Sequence, residues 1–333
     1  MKKWRAWIGV LVSVACLYLA VRGTDLDGLM QALRRLNYGF LALAFGLVVL
    51  GLFLRALRWR VLLQPASSPG LGRLFRITNI GYFLNAVLPL RAGDVLRSYL
   101  LSELEKLNLA RVLSTVVVER IADTLAILFL LAAALPFVAL PAPLVRPVIA
   151  VAFAALVAAA LLVAVAVNRE QSLTLAENVM RHFAFLHSSW LRSSLQSAVD
   201  GLAALGSVRS SLWLACWTLA VWLLGALQLY VVMWSADLRL PFVAALVVLC
   251  VTSLGMTVPS SPGYLGVFEY LTVVALGLFG VSKAFALSYA LAAHALGYLA
   301  LIVSGLVALW MEGYSYARLG AALARAQGHA NST

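Results

Sequence analysis

The largely apolar stretch between Leu74 and Asp123 nevertheless carries Asn85, Arg91, Asp94, Arg97, Glu119, Arg120 and Asp123, with Pro89 and Gly93 breaking its middle. An ionisable side chain at the bilayer centre costs roughly 2.5–3.5 kcal/mol on insertion scales, so a group of them must pair, face water or meet a charged ligand. Arginine's planar fork fits phosphate oxygens. Arg91, Asp94 and Arg97 therefore read as a lipid-phosphate site, with Asp94 orienting the arginines or binding a cationic part of the head group. The plainer reading is a structural salt bridge between Asp94 and Arg97, three apart on one helix. Glu119 and Asp123 are four apart and share a helix face with Arg120 beside them, so they read as the facing wall of that cavity or as ion partners of the same arginines.

Further along, Glu269 stands among apolar neighbours and must be protonated or paired. An arginine of the first half is the expected partner, and proton coupling is the alternative. Asn85, Ser260 and Ser261 suit either ligand contacts or backbone caps. His294 reads as hydrogen-bonded packing, with a proton relay as the sharper alternative.

Composition supplies the frame for these groups. The chain has 333 residues, 63% hydrophobic and 11% charged, whereas a soluble domain is about a quarter charged. That leaves an all-α polytopic membrane protein as the fold class. The net charge of +12 does not point to nucleic acid, because the basic residues sit between apolar runs, where they act as topology signals and contacts for anionic head groups. Cys16, Cys216 and Cys250 lie in apolar runs without metal-ligand spacing and read as small packing residues. No cofactor, metal or catalytic residue is expected. No Walker motif is present, so ATP is not expected to drive the protein directly.

A hydrocarbon core about 30 Å thick takes roughly 20 apolar helical residues. That rule predicts six full spans, at about 7–21, 40–57, 112–135, 148–167, 212–234 and 284–310. Between the first two, residues 25–38 place Leu26, Leu29, Met30, Leu33 and Leu36 on one face, the pattern of an interfacial helix. Arg55, Arg58, Arg60, Arg73 and Arg76 follow the second span with no acidic residue among them and mark that end as cytoplasmic, with gathering of anionic lipid as a second reading. Lys2, Lys3 and Arg5 place the amino terminus on the same side. The proline-rich residues 136–147 read as an outside loop. Residues 169–211, with Val179, Phe183, Leu186 and Trp190 at helical spacing and Arg181, Arg192 and Arg209 among them, read as cytoplasmic interfacial helices.

Two apolar runs, 77–88 and 242–258, are interrupted at Pro89 and Pro259, with a glycine four residues on, Gly93 or Gly263. They predict two re-entrant broken-helix hairpins, one entering from the cytoplasm and one from outside. The chain is then a single integral membrane domain over 1–333, built as an inverted repeat of about 38–135 and 212–311. Paired interrupted segments of this kind point to a transporter's central site, and the free N–H groups of broken helices suit a phosphate.

The block NAVLPLRAGDVLRSYLL, the run VVERIAD at 117–123 and PSSPGYLGVFE at 259–269 together resemble the lysylphosphatidylglycerol synthase transmembrane region family, over about 36–310. The resemblance implies flippase-like movement of a lipid between leaflets. In two-part members this region precedes a cytosolic aminoacyl-transferase domain. About 20 residues follow the last span here, so no transferase is expected and the lysyl substrate does not carry over.

The reading is a lipid flippase or transporter of a bacterial cytoplasmic (inner) membrane, multi-pass with both termini cytoplasmic. It moves an anionic phospholipid or lipid-linked intermediate by alternating access, with membrane lipids as its partners and a homo-oligomer left open. The alternatives are an intramembrane lipid-modifying enzyme, a transferase or phosphatase with Glu119 and Asp123 on a divalent metal, or an accessory subunit of a cell-envelope enzyme.

Overall fold

A computed structural model describes residues 3–64, 67–88, 92–138, 142–174, 196–257 and 260–313, and every regular element among them is helical. Side-chain caps start several helices. Asp25 accepts from Asp27 N ahead of α2 (Leu26–Arg34), Asn37 from Gly39 N and Phe40 N ahead of α3 (Tyr38–Leu63), and Asn108 from Ala110 N ahead of α6 (Leu109–Ala134). Further helices are α1 (Lys3–Val21), α4 (Leu71–Val87), α5 (Ala92–Glu105), α7 (Ala142–Val167), α8 (Val208–Ser235), α9 (Phe242–Gly255), α10 (Val267–Gly277) and α11 (Lys283–Met311).

Among the described residues α3, α8 and α11 are each long and apolar enough to cross a membrane, and Phe242–Gly255 is a shorter apolar helix. Twenty-six residues, as in α3, extend about 39 Å at 1.5 Å per residue. α3 and α8 pack antiparallel along their length, and Asn37 N at the start of one donates to Ser235 O at the end of the other at 2.8 Å.

Three boundaries differ from those that hydropathy predicts. The second span does not stop at residue 57. α3 continues to Leu63, so Arg55, Arg58 and Arg60 are helical residues instead of a connecting knot. The helix ends where Gln64 turns extended before Pro65, since proline disfavours the helical region for its predecessor. The first half of the broken segment is also longer, because α4 begins at Leu71 and carries Arg73 and Arg76. The predicted outside loop shrinks, since Leu135–Phe137 forms a 3₁₀ turn and α7 already begins at Ala142. Val179, Phe183, Leu186 and Trp190 of the expected interfacial helices lie outside the described residues, as do Pro89, Leu90 and Arg91, Pro259, and the carboxyl-terminal tail with Arg318 and Arg325.

α4 and α5 fold back on each other as a hairpin. At its base Arg73 Nη1 pairs with Glu105 Oε1 at 3.2 Å, and Ser67 Oγ donates to the same carboxylate at 2.8 Å. Gly93 marks the close approach: a Cβ there would run into the carbonyl oxygen of Gly81 and lie 2.7 Å from Asn85 N. Gly93→Ala is therefore expected to wedge the hairpin open and cost about 1–3 kcal/mol by overpacking. Gly46→Ala, on α3 with nothing within 4 Å of its added methyl, is the control that should melt at or above the wild-type temperature.

α9 and α10 make the second hairpin. The chain between them turns through Pro262–Tyr264, with Gly263 and Gly266 at φ +80° and +83°, the left-handed region that glycine enters freely. α1 packs on α10 and steadies this tip: Ser13 Oγ donates to Ser261 Oγ at 2.8 Å and accepts from Ser261 N at 2.9 Å. α11 touches both hairpins. Its Tyr298 Oη donates to Ala86 O of the first tip at 3.2 Å, and the same hydroxyl lies against Gly263 of the second. One apolar core gathers Trp59, Leu74, Ile77, Leu96 and Val112 behind the first hairpin, and another gathers Val232, Met233, Val248, Leu276 and Tyr289 behind the second.

Candidate functional site

Three helices bring their charges to one place. Arg58 on α3 reaches α6, where Glu119 and Asp123 share a face one helical turn apart. Its Nη2 lies 2.8 Å from Glu119 Oε1 and its Nη1 2.5 Å from Asp123 Oδ1. Arg97 on α5 takes the other Glu119 oxygen at 2.5 Å and pairs through Nε with Asp94 Oδ1 at 3.2 Å. Arg58, Arg97 and Glu119 are fully buried. Burying an ion costs several kcal/mol, and only good geometry with satisfied lone pairs offsets it. Much of that geometry is supplied, although Arg58 Nε and Arg97 Nη1 are buried without a hydrogen-bond acceptor among the described residues. Trp222 Nε1 donates to Asp123 Oδ1 at 2.9 Å, Asn85 Nδ2 to Asp94 Oδ1 at 3.1 Å, and the Arg97 guanidinium lies 4.6 Å from the ring centroid of Trp59.

Arg120, beside Glu119, faces the open side. It holds ion-pair distances of 3.5 Å to Asp94 Oδ1 and to Asp123 Oδ2, while its Nε and Nη2 have no hydrogen-bond acceptor among the described residues. Arg55, one turn before Arg58, has no carboxylate within ion-pair distance among the described residues. Its Nη1 donates to Tyr82 Oη at 2.9 Å, and its guanidinium lies 5.0 Å from that ring's centroid.

Arg55, Tyr82, Asn85, Arg120 and Asp123 form one wall of a cavity of about 520 Å³. Its far wall is the second hairpin, through Thr252, Ser253, Gly263, Tyr264 and Phe268, and α11 closes it with His294 and Tyr298. The cavity thus lies between the two hairpin tips. Its volume falls within the roughly 300–1,000 Å³ of ligand pockets, enough for a polar head group.

Of the ten residues singled out in the sequence, the structure spreads nine over three surroundings. Asp94, Arg97, Glu119, Arg120 and Asp123 share the ion network, with Asn85 tied to Asp94. Ser261 contacts Ser13, and Ser260 Oγ is buried with no partner among the described residues. Glu269 turns away from the arginines: its Oε2 accepts from Gly266 N at 2.6 Å, capping α10, and its Oε1 meets His294 Nδ1 at 2.5 Å. Arg91 lies outside the described residues. Sequence reasoning read Arg55 and Arg58 as topology signals, yet one is the hub of the buried network and the other lines the cavity. Tyr82, Trp59 and Trp222 carried no signal beyond their type.

A UPF0104 membrane protein of Methanocaldococcus jannaschii is 29% identical over 132 residues, a match covering 39% of this chain and 39% of that protein. The chain therefore aligns with well under half of that relative's length. The family described as the lysylphosphatidylglycerol synthase TM region matches residues 6–305, a stretch that includes both hairpins, the ion network and the cavity. This chain belongs to the lysylphosphatidylglycerol synthase TM region family and is a multi-pass membrane protein.

Proposed function

We propose that the protein moves an anionic, phosphate-bearing lipid between leaflets by alternating access, the phosphate resting on Arg55 and Arg120 between the two hairpin tips. The observation that carries this reading is the charge imbalance at the cavity wall. The three carboxylates of the network are held by Arg58, Arg97 and Arg120, and Arg55 faces the cavity with no carboxylate within ion-pair distance among the described residues. A guanidinium held at membrane depth needs an anion. A lipid phosphate brings one, with its chains left in the bilayer. The family resemblance to a flippase-like region agrees with this, as do two hairpins meeting at one cavity. In this reading each hairpin belongs to one half of an inverted repeat, about 38–135 and 212–311, the membrane is a bacterial cytoplasmic membrane and both termini are cytoplasmic.

The rival enzyme reading needs a divalent cation on Glu119 and Asp123, the carboxylates that Arg58, Arg97 and Arg120 hold. Mass spectrometry of co-purified lipids tests the choice. Wild-type protein is expected to retain an anionic lipid that Arg55→Gln loses while remaining monodisperse. Identical lipid profiles for the two proteins would remove the ground for this reading.

A further inference from the structure

His294 on α11 faces an acceptor on each side. Its Nε2 lies 3.0 Å from Gly263 O and its Nδ1 2.5 Å from Glu269 Oε1. A carbonyl oxygen only accepts, so Nε2 carries a hydrogen. The second contact then requires a further proton between Nδ1 and Oε1, placed either on the imidazole facing a carboxylate or on the carboxyl facing a neutral imidazole. Whichever atom holds it, the pair has one proton more than a neutral histidine beside a carboxylate.

Loss of that proton breaks one of the two contacts. With hydrogen kept on Nε2, the Nδ1 lone pair meets a carboxylate. With hydrogen on Nδ1, the Nε2 lone pair meets the carbonyl oxygen of Gly263. Gly263 belongs to the second hairpin tip, and Glu269 caps the helix that follows it. The tip's hold on α11 therefore depends on the proton.

His294 lines the same cavity as Arg55 and Arg120, and Glu269 stands directly behind it. At and behind the cavity wall stand four guanidiniums, Arg55, Arg58, Arg97 and Arg120, and three carboxylates, Asp94, Glu119 and Asp123, which leaves one surplus positive charge there. The proton-loaded pair adds no net charge, so a singly charged lipid phosphate makes the cavity neutral. With the pair unloaded, the same lipid leaves a net negative charge, which is costly at membrane depth. Lipid and proton thus raise each other's affinity, and the coupling is reciprocal.

Other titratable groups surround the pair. Tyr298 stands with its ring centroid 4.9 Å from that of His294, Tyr264 lies in the tip, and Tyr82, Arg55, Arg120 and Asp123 face the pair across the cavity. α1 and α2, packed on α10 and α11, carry Cys16 and Tyr18 and the exposed Asp27 and Arg34. α8 and α9 face the cavity with neutral side chains such as Trp222, Gln228 and Thr252.

We infer that Glu269 and His294 form a proton-loading site and that one proton travels with each anionic lipid, an inference that rests on the lipid-transport reading above. On loading, an N–H or O–H bond forms with a proton taken from water on the side to which the cavity is open. On release that bond breaks and the proton passes to water on the other side. No electrons move.

The experiment uses phosphatidylcholine vesicles containing the full chain, a trace of tail-labelled phosphatidylglycerol and a trapped pH dye, with a pH gradient imposed. The labelled lipid is expected to accumulate in the leaflet facing the alkaline side, by about tenfold per unit of gradient at one proton per lipid, with proton movement matched by the dye. Glu269→Gln keeps both contacts, since its amide accepts from Gly266 N and donates to Nδ1, and so mimics the loaded pair permanently. It is expected to melt like the wild type and to accumulate no lipid under the gradient. Wild-type protein that equilibrates the lipid without accumulation, or a Glu269→Gln variant that still accumulates it, overturns the proton site and leaves lipid movement standing. Wild-type protein that moves no lipid overturns both.

Discussion

Replacing Arg58 with methionine is expected to remove about 3–5 kcal/mol of stability, the usual cost of deleting one partner of a buried ion pair. The whole folding free energy of a domain is about 5–15 kcal/mol, so the variant should be poorly recovered from membranes and melt well below the wild type in detergent. The cause is specific. Arg58 bridges Glu119 and Asp123, both of which would keep a buried negative charge that Arg97 and Arg120 already share with Asp94. Adding Asp123→Asn to Arg58→Met restores equal numbers of guanidiniums and carboxylates in the buried network and should recover part of the lost melting temperature. An Arg58→Met protein that melts with the wild type would show that this network does not set the stability of the fold.

Arg55→Gln is expected to do the reverse, sparing the fold and removing lipid capture. Its guanidinium holds no carboxylate among the described residues, so its loss strands no buried anion. Hydrogen bonds to charged groups contribute about 1.5–3 kcal/mol, or roughly ten- to hundredfold in affinity for a phosphate. The expected result is an unchanged melting curve together with a tenfold or larger loss of anionic-lipid binding. Two arginines one helical turn apart would then separate cleanly, one structural and one ligand-binding. Equal losses of lipid binding and of stability in both variants would merge them into a single structural group.

This division of labour was only half legible in the sequence. Asp94, Arg97, Glu119, Arg120 and Asp123 announce themselves because charges inside apolar runs are expensive and so mark pairing or a site. Their partner Arg58 does not, because an arginine just past an apolar run looks the same whether it faces head groups or turns inward. What Glu119 and Asp123 need is set by a helix about 60 residues earlier, and local spacing does not encode that. Pro65 held the usable clue: the helix runs to its doorstep, which places Arg55 and Arg58 on α3 itself. Glu269 was read as awaiting an arginine, yet its counterpart is His294, on the next helix, and its other oxygen caps its own helix. The capping geometry depends on Gly266 at a left-handed φ, which hydropathy cannot reveal. The broken segments were visible from proline and glycine. The close contact of Gly93 with Gly81 required the packed helices.

The most direct measurement of the central claim compares two tail-labelled lipids, phosphatidylglycerol and phosphatidylcholine, in phosphatidylcholine vesicles containing the purified chain, with outer-leaflet label destroyed by a membrane-impermeant reductant. Transport through the cavity between the hairpin tips predicts that protein makes the inner-leaflet phosphatidylglycerol accessible far faster than in protein-free vesicles, that phosphatidylcholine lags, and that Arg55→Gln abolishes the difference. Equal rates for both lipids, unchanged by Arg55→Gln, or rates no faster than in empty vesicles, would contradict it.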